Sequence, residues 1–160
     1  MENLERALER VLESRIRSSL ASGLLLVFAA VLNCGAVTTI DFNSLPDSGD
    51  GWTLSNNKVI LNGAGPYVLT GDARAKMTAV LVSADATVTI SNLYLKVKET
   101  TMKVDDGKNL QLFLAGVNSL ESSGGTSAAI EVEGSASIAI TNAPYDVNGQ
   151  LTAIGGDYSA

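Results

Sequence analysis

The sequence predicts an all-β fold, a parallel β-helix, behind an N-terminal segment of different character. Three observations carry this. Alternation of apolar and polar residues replaces helical spacing after residue 52. Three segments then align without a gap: Val80–Ile90, Met102–Leu112 and Ile130–Ile140. Their starts lie 22 and 28 residues apart, and each holds apolar residues at positions 1, 3, 9 and 11 around a polar turn.

The chain opens with residues 1–36, which hold four Arg and four Glu and are neutral. Residues 37–160 carry the whole net charge of -6, all three prolines and all but two of the 15 glycines. The boundary near residue 36 is therefore one of composition and of charge. Leu4, Leu8, Val11, Leu12 and Ile16 mark one apolar face of a charged helix over 2–17. Glu2→Arg6 and Glu13→Arg17 are favourably oriented i,i+4 pairs on it. The uncharged run Leu20–Leu32 is too short to span a bilayer, which takes about 20 residues. It fits the apolar core of an export signal, with Arg15 and Arg17 as its positive flank. Two processing routes follow: Cys34 as the lipid-bearing residue of a lipoprotein, or Cys34 and Ala36 as the small residues before an ordinary cleavage site. A buried or membrane-anchoring helix is the competing expectation.

The repeats come next. One copy of about 22 residues with two short strands fits one turn of a solenoid, whose successive turns stack about 4.8 Å apart. The predicted inward columns are Val80/Met102/Ile130, Val82/Val104/Val132, Val88/Leu110/Ile138 and Ile90/Leu112/Ile140. Thr89, Gln111 and Ala139 then point outward. Six extra residues fall in the loop-like stretch Glu121–Ser127. An antiparallel sandwich would explain the strands but not the gapless spacing. Val59–Leu61 with the phrase Asn62–Leu69 reads as an earlier turn, Trp52 as its cap, and Leu151–Ile154 as the start of a later one. The C-terminal end offers little of the polar cap that a solenoid requires, so the expectation is either a truncated β-helix or an open end covered by self-association or a partner chain.

Composition excludes several chemistries. There is no histidine, hence no Ser-His-Asp triad and no imidazole base. One cysteine makes no intrachain disulfide and no thiolate cluster. A pI near 4.5 argues against nucleic acid, whose phosphates need clustered Lys and Arg. Asn62–Gly65 and Ser123–Thr126 are turns, not phosphate loops, because no Lys-Ser/Thr follows them. Asp47–Gly51 lacks the alternating ligands and distal Glu of a calcium loop.

The phrases Gly63–Asp72, Ala86–Leu95, Asp106–Leu120, Ala128–Gly134 and Gly149–Gly156 together resemble a bacterial family of exported carbohydrate-binding domains. They cover about three fifths of the chain, in order. The resemblance implies a right-handed parallel β-helix, calcium, and acidic polysaccharide of the polygalacturonate type as ligand.

Site residues follow from the repeats. Alignment sets Asp105 beside Glu133, one turn apart, with Ser83 before them. Two carboxylates so placed repel unless a cation or proton intervenes, and Ca²⁺ takes six to eight oxygens. Glu99 and Glu121, 22 residues apart, are a second candidate calcium pair. The alternative for both is a solvated acidic face softened by Lys103 and Lys108. Lys103 and Glu131 share a column and should form an ion pair. Tyr94, between Leu93 and Leu95, should point outward as a platform for a sugar ring. Trp52, Tyr67, Tyr145 and Tyr158 are expected in turns or loops. Beyond residue 36 the only arginine is Arg74, which leaves a pectate-lyase-like enzyme poorly equipped. The expected function is non-catalytic binding of acidic polysaccharide at the cell surface. The alternative is a structural or adhesive solenoid without a small ligand.

Overall fold

A computed structural model describes residues 36–156. The expected helix over 2–17, the apolar run Leu20–Leu32, the Cys34 processing site and Tyr158 lie outside the described residues. The described part is all-β and holds no helix. Its strands are β1 (Thr38–Asp41), β2 (Ser48–Gly49), β3 (Trp52–Ser55), β4 (Lys58–Leu61), β5 (Tyr67–Asp72), β6 (Ala79–Val82) and β7 (Ala86–Val97). They continue as β8 (Met102–Val104), β9 (Asn109–Ala115), β10 (Val117–Ser122), β11 (Ile130–Val132), β12 (Ser137–Asn142) and β13 (Gln150–Ile154).

The strands stack into a parallel β-helix with three walls. The first wall is β4-β6-β8-β11, parallel throughout. The second runs from β5 through the first half of β7 to β9 and β12. The third runs from the second half of β7 to β10 and β13. The corner inside β7 is Asn92, at φ 50, where the ladder with β5 shifts register. One turn later Gly116, at φ 63, divides β9 from β10. A Cβ there would lie 2.3 Å from Asn92 Oδ1 and the positive φ would strain any side chain, so glycine suits this corner.

Each strand sends alternate side chains into the lumen. Val80, Met102, Val82, Val104, Val88, Leu112, Ile90 and Leu110 are all buried. Full burial stabilises by roughly 1.5–3 kcal/mol per large aliphatic side chain, which is why the spacing of these residues dictates the coil. At the N-terminal end the parallel order gives way to an antiparallel hairpin. β3 pairs β4 and β2 pairs β3. Trp52 and Phe42 are buried there, so Trp52 does close the first turn. Tyr67, expected in a loop, instead opens β5. It is buried, and its hydroxyl donates to the Gly51 carbonyl at 2.5 Å.

The first two predicted columns are in register as expected. The other two require a correction. Ile138 faces Leu110 and Ile140 faces Leu112, but Val88 faces Leu112 and Ala86 faces Leu110. Three residues separate Val82 from Ala86, whereas five separate Val104 from Leu110. Counted between paired positions, the link after β8 is two residues longer than the link after β6. A shift of two leaves every inward residue inward, so alternation could not reveal it.

Candidate functional site

Ser83, Asp105 and Glu133 follow the first wall at its corner with the second. Asp105 N–H donates to the Val82 carbonyl and Glu133 N–H to the Val104 carbonyl, each at 3.0 Å. These bonds set the two residues one turn apart, as the alignment expected. Lys103 pairs with Glu133 and lies near enough to Asp105 to feel its charge. Its Nζ lies 3.0 Å from Glu133 and 3.7 Å from Glu131, the latter being the pair expected from the shared column. The hydrogen bond with Glu133, with smaller help from the charges of Glu131 and Asp105, raises the Lys103 pKa above the ordinary lysine value. Thr100 donates to Glu131 at 2.7 Å. Among the described residues no group of three or more His, Cys, Asp or Glu stands close enough to hold a metal ion.

Glu99 and Glu121 are not stacked. Glu121 pairs in register with Lys96 and forms an ion pair with it. Glu99 follows β7 and bonds Lys58 at 2.9 Å. The bulge at Asn92 and the unequal corners defeat a fixed spacing of 22 there, so each acid meets a lysine rather than the other acid.

Tyr94 points outward between buried Leu93 and Leu95. It stands in register with Asp72 on one side and Ser119 on the other, and Ser119 with Thr152. The column on the third wall is thus Asp72, Tyr94, Ser119, Thr152. The Arg74 guanidinium sits over the Tyr94 ring, 5.4 Å from its centroid. Nε of Arg74 donates to both Asp72 oxygens at 3.0 Å, and Nη2 to Oδ2 at 2.5 Å. This fork lowers the Asp72 pKa and raises that of Arg74. Tyr94 is therefore a cation-covered ring and not a bare one.

Sequence reasoning missed the groups that hold the corners. Asn118 is fully buried. Its Oδ1 accepts the Leu93 N–H at 3.0 Å, and its Nδ2 donates to the carbonyls of Ala115 at 3.1 Å and Gln150 at 3.0 Å. One side chain thus ties three successive turns. Asp146 accepts the Gly116 N–H at 2.6 Å, and Asp106 accepts both the N–H and the hydroxyl of Ser135. Asp85 accepts the Asn109 N–H at 2.8 Å. The available signal was Asn118 itself, a polar residue in the inward slot that Leu120 continues.

Fold and surface together define a parallel β-solenoid whose outer walls carry ladders of hydroxyl, amide and ion-paired side chains. No protein-family model matches the sequence, and neither curated proteins nor solved structures give a match. The carbohydrate-binding resemblance therefore rests on the phrases between Gly63 and Gly156.

Proposed function

We propose that this solenoid binds acidic polysaccharide of the polygalacturonate type without cleaving it, on the surface of the cell that exports it through its N-terminal segment. One observation supports this most: the outward column of Tyr94, Ser119 and Thr152, flanked by Arg74 and Lys96. Turns repeat about every 4.8 Å, close to the length of one sugar residue in an extended chain. Successive sugars would then meet successive rungs. Hydroxyls of Ser119 and Thr152 would bond sugar hydroxyls, and a uronate carboxylate would compete with Asp72 for Arg74 and with Glu121 for Lys96.

Calcium enters this reading at Asp105 and Glu133, where a Ca²⁺ ion would have to displace the Lys103 ammonium from Glu133. Calcium titration tests that step, because an ion bound only by the folded state raises Tm, by about 2.7 kcal/mol of stability at a hundredfold excess over Kd. A Tm indifferent to millimolar calcium removes the metal and leaves direct recognition by Arg74 and Lys96. Retention on immobilised polygalacturonate, with and without chelator, tests the function itself. Wild type is expected to bind. Tyr94→Ala and Lys96→Ala are each expected to lose about tenfold in affinity, the equivalent of 1.4 kcal/mol. No retention of the wild-type chain ends the reading in favour of a structural or adhesive solenoid.

A further inference from the structure

The three walls differ in charge. The first carries Lys58, Lys103 and Glu131, and the third carries Lys96 and Glu121. On the second wall, Ala86–Ser91 of β7, all of β9 and all of β12 hold no charged side chain. Its outward columns are Thr87/Gln111/Ala139 and Thr89/Phe113/Thr141. Phe113 stands outward between buried Leu112 and Leu114 and is partly exposed. Where this wall meets the first, a groove of about 430 Å³ crosses successive turns. The column of Thr87 and Gln111 forms one side, and Asp85, Asn109 and Ser137 form the other. Hydrogen bonds fix that second side. Asp85 Oδ1 accepts the Asn109 N–H at 2.8 Å and its Nδ2 at 3.3 Å, and the Ser137 hydroxyl donates to Asn109 Oδ1 at 2.7 Å. Both Asn109 bonds fall on Oδ1, so Oδ2 of Asp85 is left to accept from a ligand.

The lining selects its occupant. Asp85 is the single charged side chain along the groove, so it opposes a phosphate or a uronate by like charge. One carboxylate is too few for Ca²⁺, which takes six to eight oxygens. A peptide strand binds through main-chain bonds at a sheet edge, and Ala86–Ser91 is already paired with β5 on one side and β9 on the other. A neutral molecule rich in hydroxyls suits every group present. The carboxylate accepts strongly from a hydroxyl, and the exposed Gln111 amide and the Thr87 hydroxyl each donate and accept. Phe113, the next outward residue after Gln111 on β9, offers an aromatic face to the apolar side of a sugar ring. Polar groups recur with each turn, about 4.8 Å apart, and the volume falls in the range of small-ligand sites, about 300–1,000 Å³.

We infer that the groove at the corner of the first and second walls is a separate carbohydrate site that takes a neutral oligosaccharide, with Asp85 and Gln111 bonding its hydroxyls beside Phe113. The inference does not rest on uronate binding at the third wall. Amide NMR spectra of the chain titrated in turn with cellohexaose, mannohexaose and galactohexaose test it. At least one sugar is expected to shift the amides of Asp85–Thr89 and Asn109–Phe113 saturably, while those of Tyr94 and Ser119 stay in place. Asp85→Asn keeps the oxygen that holds the Asn109 N–H, and Gln111→Ala lies at an exposed position. Each is expected to weaken that sugar about tenfold and to leave retention on polygalacturonate as it is in wild type. Tyr94→Ala is expected to leave the neutral sugar's affinity unchanged. No saturable shift with any of the three sugars overturns the inference. So do shifts confined to the third wall, or an Asp85→Asn chain that binds as tightly as wild type.

Discussion

Asn118 shows what a single side chain does in a coil of this kind. A buried amide costs free energy unless all its groups are bonded, and here each bond reaches a different strand. Asn118→Leu would leave the Leu93 N–H and the Gln150 carbonyl without their bonds. At about 1–3 kcal/mol for each unsatisfied group, equilibrium urea unfolding should show a loss of roughly 2–5 kcal/mol. The corner carboxylates act by charge. Backbone N–H bonds from Ser135 to Asp106, and from Gly116 and Asn148 to Asp146, hold both pKa values below the ordinary 3.8. A carboxylate whose folded pKa is depressed stabilises the fold above the ordinary value and loses that contribution as pH falls through the folded one. Stability should therefore be level above about pH 5 and fall below about pH 4. Asp106→Asn with Asp146→Asn should flatten that fall in an acid titration followed by circular dichroism. Of these residues only Asn118 could be picked out beforehand, by the alternation that turns it inward. The aspartates are turn residues in composition, and what they bond depends on which turn stacks above them.

At the scale of strands the coil was legible because the lumen accepts apolar side chains at every second residue, and Val80, Val82, Met102 and Val104 supply them in step. The register of the second wall was not, since a difference of two residues between the turns before Ala86 and Leu110 preserves that step. The same limit separated Glu99 from Glu121, whose segments reach their places through corners of unlike length. The stacking of Asp105 on Glu133 was legible, because both follow directly from strands already in register. Burial makes the strands unequal in energy. Leu112→Ala removes a side chain enclosed on all sides, and chemical denaturation should show a loss of about 2–5 kcal/mol. Ile140→Ala, in the same column one turn later and half uncovered, should cost well under half as much.

At the scale of the molecule, the walls form a stack in which each turn touches only its neighbours, so its stability is close to a sum of nearest-neighbour terms. The outward direction of Tyr94 could be read from sequence. The Arg74 guanidinium over it could not, since Arg74 lies outside the aligned repeats and reaches the ring through Asp72. The antiparallel pair β3–β4 has a further consequence. It closes through Asn56 and Asn57, both at positive φ, and it is local, whereas every parallel pair must first close a loop of about twenty residues or more, at a cost in chain entropy. The hairpin is thus the least costly place to nucleate, and it precedes the turns from β5 onward in the chain. Growth from it would run in one direction, each new turn laid on the last as the chain emerges. Removing residues 123–160 should leave a shorter coil that still folds, and removing residues 36–61 should abolish folding, both read by circular dichroism. The chain would then assemble in the order in which its turns follow one another in the sequence.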